Sequence, residues 1–88
     1  MDFRWNEWNI DHIAKHGVDP DDAEFAILHA VTPYPSRHYD EKWIVWGQDS
    51  SGRYLQVIFI RDDDDTVYVI HARPLDDREK RRLRRRRR

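Results

Sequence analysis

Two apolar runs decide the reading of this chain: Arg53-Tyr54-Leu55-Gln56-Val57-Ile58-Phe59-Ile60-Arg61 and Thr66-Val67-Tyr68-Val69-Ile70-His71-Ala72-Arg73, divided by four consecutive aspartates at 62–65. Both are rich in β-branched and aromatic residues and are bounded by turn formers, which predicts an antiparallel hairpin. With residues 62–65 as a four-residue loop, Arg61 pairs with Thr66, Phe59 with Tyr68, Val57 with Ile70 and Leu55 with Ala72. Cross-strand partners share a face, so that face is almost wholly apolar.

Immediately upstream, Glu41 to Gln48 reads as a third strand, set off by Asp49-Ser50-Ser51-Gly52; with Gln48 to Gly52 closing the hairpin, Gly47 faces Arg53. Trp43 and Val45 then join the apolar face. The opposite face carries Ile58, Ile60, Val67 and Val69 toward one end, and Trp46, Tyr54, Gln56, His71 and Arg73 toward the other. Thr32-Pro33-Tyr34-Pro35-Ser36 ends helical structure, because proline lacks a donor and drives its predecessor toward extended geometry. An edge strand fits within Val31 to Tyr39.

Further toward the N-terminus, Asp2 to Trp5 alternates as a short strand, and Asn6 is placed to cap a helix running to about His16. Gly17 stands where a left-handed residue closes that helix. Asp19 caps a second helix with Pro20 at its first position and Asp21, Asp22 and Glu24 near the positive dipole end. Its inner face is Ala23, Ala26, Ile27 and Ala30. From Asp76 onward, early acids and late arginines suit a C-terminal helix. The expected class is α+β: a small antiparallel sheet of three to five strands, two N-terminal helices on one face and a basic C-terminal helix, in the order β-α-α-β-β-β-α. One domain covers residues 1–83, followed by an arginine-rich tail at 84–88.

Composition agrees. Eighty-eight residues allow one small core, and 39% hydrophobic content with eleven aromatics is too apolar for a disordered chain. The absence of cysteine excludes disulfides and thiolate metal sites. No apolar run is long enough to span a bilayer, so a cytoplasmic protein without membrane contact is expected. The net charge of −1 hides a division: residues 1–72 hold six Lys/Arg against fourteen Asp/Glu, whereas residues 73–88 hold ten against three. The basic end seeks anions: nucleic acid, an acidic partner or the chain's own acidic face.

Aromatics that stack bases beside cations that hold phosphate fit single-stranded RNA. A resemblance to a known family, carried by residues along most of the chain, implies that such RNA is also cut without a metal, which needs a base for the 2′-hydroxyl, an acid for the leaving 5′-oxygen and cations for the phosphorane. His71 is the candidate acid or base; as a surface strand histidine it has no such role. Arg73, two residues on and on the same face, is the candidate phosphate clamp, or else a salt-bridge partner of Asp76, Asp77 or Glu79. Trp46, Tyr54 and Gln56 line the patch. Lys15 closes the first helix and either contacts RNA or bonds last-turn carbonyls. Arg78, Lys80, Arg81 and Arg82 form a basic helix surface. His12 and His16 have the spacing of a helical metal pair but no evident third ligand, and the aspartates at 62–65 lack the pattern of a calcium loop; neither metal nor cofactor is expected.

Trp5-Asn6, Asn9, Lys15-His16-Gly17-Val18, Ala23, Gly47, Gly52-Arg53, Val57-Ile58-Phe59, Arg61, Val69-Ile70-His71-Ala72-Arg73 and Arg78-Glu79 resemble, almost end to end, the BrnT toxins, a branch of the RelE-like ribonucleases. The resemblance implies a type II toxin that cuts RNA without metal and inhibits translation. It also implies neutralisation by a BrnA-type ribbon-helix-helix antitoxin, with operator DNA bound only through that complex. It places helices on one sheet face and the RNA site on the other, and adds Arg61 to the candidate catalytic residues, although the register puts Arg61 on the helix side at a strand end, where the alternative is a clamp on the aspartate turn. Two departures stand out: His71 where the family usually has Ser, and the long arginine end. The rival readings are a non-catalytic RNA- or antitoxin-binding module and a regulator that binds operator DNA by itself; the latter lacks a recognisable helix-turn-helix.

Overall fold

A computed structural model describes residues 1–86. Its elements are β1 (Asp2–Arg4), α1 (Glu7–Ala14), α2 (Pro20–Leu28), β2 (Ser36–Arg37), β3 (Lys42–Gln48), β4 (Tyr54–Arg61), β5 (Thr66–Pro74) and α3 (Asp77–Arg86). Helix α3 takes in the start of the expected arginine tail; the rest of that run lies outside the described residues. No described helix is long and apolar enough to cross a membrane.

The caps form where the sequence places them. Asn6 and Asn9 exchange side-chain and backbone bonds in a capping box at the start of α1, and Asp19 and Asp22 do the same for α2, with Pro20 in its first turn. Gly17, at φ 73°, closes α1: its N–H reaches Ala14 C=O, and the Val18 N–H reaches Ile13 C=O.

The sheet order is β1-β5-β4-β3-β2. The hairpins are antiparallel, but β1 runs parallel to β5, so the sheet is mixed rather than the antiparallel one expected. Two helices, not a turn, separate β1 from the other strands, which leaves its direction unconstrained by a hairpin.

Register departs from expectation at two places. Gly47 pairs with Leu55 rather than Arg53; a shift of two leaves Trp43, Val45 and Gly47 on their expected face. In the second hairpin the Asp62 N–H meets Thr66 C=O at 2.8 Å and Asp65 takes φ 68°. This is a three-residue loop with a left-handed final residue, not a four-residue one. Arg61 therefore pairs with Val67 and Phe59 with Val69. An irregularity between Ile58 and Phe59 then gives β5 one extra residue, Ile70, and beyond it Ile58 pairs with His71, Val57 with Ala72 and Gln56 with Arg73. Val67 and Val69, expected on the outer face, are in the core, and Tyr68, expected inside, lies outside.

The core joins Val45, Leu55, Val57, Phe59, Val67, Val69 and Ala72 to Ile13, Val18, Ala23, Ala26 and Ile27 of the helical layer. A second, smaller cluster on the other face holds Trp46, Leu75 and Leu83, with Tyr34, Ile44 and Tyr54 against it. Helix α3 thus lies over part of the face expected to be open.

One ionic knot ties the β3–β4 turn to the helices. Asp49, 4% exposed, accepts the Ser51 N–H and hydroxyl, the Arg53 N–H and the Arg53 Nε. Arg53 in turn donates to Gly17 C=O and to the Asp22 carboxylate. Burial pushes the Asp49 carboxyl up, but the bonds from Ser51 and Arg53 outweigh it and hold the group below the usual carboxylate range. Asp49→Ala strands these donors, and we expect a loss of about 2–3 kcal/mol in urea unfolding at neutral pH, with Asp49→Asn losing less. An unchanged midpoint for the alanine variant would show the knot to be dispensable.

Candidate nuclease site

His71 and Arg73 project from the same side of β5, beyond the extra residue Ile70. Helix α1 runs beside that part of β5, with Asn9 and Ile13 buried. Trp8 and His12 on the next ridge of the helix, and His16 in the turn that closes it, reach the sheet's outer-face residues. The His16 ring lies 5.5 Å from that of His71 and the His12 ring 6.1 Å, both edge-on. His71 is thus one of three clustered imidazoles. Burial lowers its pKa below 6.5, with further contributions from His16, Arg73 and His12, so it is neutral at pH 7.

Arg73 is held rather than free. Its terminal nitrogens donate to the two Glu79 oxygens at 2.8 and 2.7 Å, to Pro74 C=O at 3.1 Å and to Gln56 Oε1 at 3.3 Å. Glu79 is itself fixed, since its N–H donates to Asp76 Oδ1 and its carboxylate accepts the Asp76 N–H, the capping box of α3. Of the salt-bridge partners considered for Arg73, the structure selects Glu79. The Trp46 indole N–H donates to the same Gln56 oxygen at 3.0 Å.

The other predicted residues divide. Gln56 belongs to the Arg73 network. Trp46, at 9% exposure, is packed with Leu75 and Leu83, so it does not offer an open face to a base; this corrects its reading as a stacking residue. Tyr54 is half-buried against the same cluster. Arg61 is not brought to His71: it pairs across from Val67, whereas His71 faces Ile58, and its guanidinium binds Asp65 of the aspartate turn. Lys15 is the exposed C-terminal cap of α1. Arg78 and Arg81 are exposed and, with Asp76, Glu79, Arg82 and Arg85, line an open groove of about 560 Å³ along α3. Because Glu79 both lines this groove and holds Arg73, groove and site adjoin.

Sequence reasoning set His12 and His16 apart as a helical pair and missed that they face His71. The signal was present: positions 8, 12 and 16 repeat every four residues and form one ridge of a helix. Among the described residues, no group of three or more His, Cys, Asp or Glu is arranged to hold a metal ion.

No protein-family model matches the chain, and no curated protein matches it by sequence. Among solved structures, it is similar to the 1.1 Å crystal structure of the Brucella abortus ribonuclease toxin BrnT, with 26% identity, a TM-score of 0.69, and coverage of 88% of this chain and 99% of that one. The BrnT resemblance read from the residues is borne out, as is the α+β fold it implies.

The Arg73–Glu79 pair yields a pH prediction. The hydrogen bonds from Arg73, acting against burial, hold Glu79 at about 2 instead of 4.5, with added help from the Asp76 N–H and the charges of Arg73 and Arg82. A depressed carboxylate stabilises the fold fully above pH 4.5, and that contribution is lost as pH falls toward 2. Discounted for partial exposure, it amounts to about 2–3 kcal/mol. Urea unfolding across this range should show the acid slope in wild type and a flatter profile in Glu79→Gln. Identical slopes would remove Glu79 as its source.

Proposed function

We propose that this chain is a toxin-type endoribonuclease that cleaves RNA without a metal, inhibits translation in the cytoplasm and is neutralised by a BrnA-like ribbon-helix-helix antitoxin. Operator DNA is bound only through the antitoxin complex. The observation that carries the reading is the imidazole cluster of His71, His16 and His12 beside Arg73, on a fold similar to that of a ribonuclease toxin.

The chemistry follows from the residues. Neutral His71 takes the proton of a ribose 2′-hydroxyl, and the 2′-oxygen attacks the adjacent phosphorus. The bond to the 5′-oxygen breaks, and that oxygen receives a proton from His16, which is more exposed than His12. The products are a 2′,3′-cyclic phosphate and a 5′-hydroxyl, with protons balanced between two imidazoles. The Arg73 guanidinium, oriented by Glu79 and Gln56, supplies positive charge next to the phosphorane. Arg78 and Arg81, with Arg82 and Arg85, give the flanking backbone a cationic groove. Lys15 extends positive charge at the end of α1, Gln56 supports Arg73 from the sheet, Tyr54 packs against the Leu75–Leu83 cluster beside them, and Arg61 serves the aspartate turn rather than the reaction.

One observation favours the rival, a non-catalytic RNA- or antitoxin-binding module of the same fold: Glu79 already neutralises Arg73. Purified protein with end-labelled RNA in a chelator, with and without ribosomes, separates the two. The nuclease reading predicts cyclic-phosphate ends. His71→Ala should lose roughly 10²- to 10⁴-fold in rate while still binding. Because the His71 pKa lies below 6.5, activity should rise with pH on a limb below that value. Stability has the same sign there: the unfolded histidine binds its proton first, so acidification below 6.5 costs folding free energy. Binding with no cleavage under any of these conditions establishes the rival.

A further inference from the structure

A strip of ring systems leads away from the imidazole cluster and has no part in the chemistry above. Trp8 is 57% exposed, although it stands on the ridge of α1 that faces β5. Its ring centroid lies 5.0 Å from His12 at 6° and 6.5 Å from Tyr68 at 18°. The three rings are near-parallel neighbours, and of them Trp8 is the exposed one, while Tyr68 and His12 are half-buried. The arrangement is held in place: the Tyr68 hydroxyl donates to Asn6 Oδ1 at 3.3 Å, and the Arg4 guanidinium lies 4.0 Å over the Tyr68 ring. Because Asn9 and Ile13 provide the buried face of α1, Trp8 is not needed to fill the core.

We propose that Trp8 and Tyr68 form a nucleobase-stacking subsite that seats a single-stranded RNA base next to the phosphate presented to His71. This rests on the nuclease reading and extends it to a binding residue outside the predicted patch. Three observations select a base over other occupants. The strip joins the imidazole cluster through the His12–His71 contact, so whatever lies on it is continuous with the reacting phosphate. Its surface is planar and aromatic, and base stacking tolerates any sequence because every base has a π-face. The charges flanking Trp8, Glu7 and Asp11, are acidic and exposed, and the cation at Tyr68, Arg4, is paired with Asp62, which suits a base rather than a phosphate, while Lys15 and Arg73 lie toward the other end for the backbone. The subsite also replaces Trp46, which α3 covers.

The test uses the full chain and a 2′-O-methyl single-stranded oligoribonucleotide, which binds but lacks the attacking hydroxyl. Trp8→Ala and Trp8→Leu should weaken its binding roughly 5- to 150-fold, the range of one lost base stack. Trp8→Phe should restore most of the affinity, since a planar ring and not mere apolarity is required. On a cleavable strand the loss should fall on KM more than on kcat. Thermal melting of each variant confirms that it folds, and Tyr68→Ala and Tyr68→Phe provide a second pair on the sheet. Wild-type affinity in Trp8→Ala overturns the subsite while leaving the nuclease reading intact. So does loss of antitoxin binding with RNA affinity unchanged, which assigns Trp8 to a protein interface. A wild-type chain that neither binds nor cuts RNA overturns both readings.

Discussion

The extra residue in β5 governs where everything else can be. A strand alternates strictly between two faces, so an unbroken alternation running through Ile70 from the inward Val67 and Val69 would carry His71 inward and Ala72 outward. The irregularity resets the alternation between them. Val67, Val69 and Ala72 all pack inside, while Tyr68, His71 and Arg73 all reach the outer side. Because the irregularity absorbs Ile70 outside the pairing, a single strand serves both the helical layer and the site.

The same residue explains what could and could not be read from sequence. Capping positions, helix ends and strand limits were legible because each rests on local chemistry: Asn6, Gly17, Asp19 and Pro20 have few alternatives. The faces of β3 and of the end of β5 were legible because their patterns alternate. The first half of β5 was not, since Val67, Tyr68, Val69 and Ile70 are all apolar and satisfy either face. A three-residue loop ending in a left-handed aspartate is also indistinguishable in composition from a four-residue one. The parallel pairing of β1 had no local signal, because it is made across the chain by Asp2, Phe3 and Arg4 with Thr66, Val67 and Tyr68.

At the site, sequence placed His71, Arg73 and Gln56 together and the structure agrees. Proximity along one strand was enough for that. Contacts between elements were harder: the approach of His12 and His16 to His71 and the burial of Trp46 under Leu83 depend on how α1 and α3 lie against the sheet, whereas Arg61 is taken by Asp65 of its own turn. Helix α3 is anchored by two unlike interactions, a buried leucine on an indole and a bidentate ion pair on the strand below. The pair joins the orientation of a helix to the electrostatics of the candidate site, since any displacement of α3 alters the charge around Arg73.

The shortness of the outer strands has its own consequence. The central strands are seven to nine residues long, yet β2 has two residues and β1 three. Pro35 precedes β2 and carries no N–H, and helix α1 runs beside β5 where β1 ends. A foreign strand seeking backbone partners finds only a few at either margin, so the sheet resists edge-to-edge polymerisation despite its apolar middle.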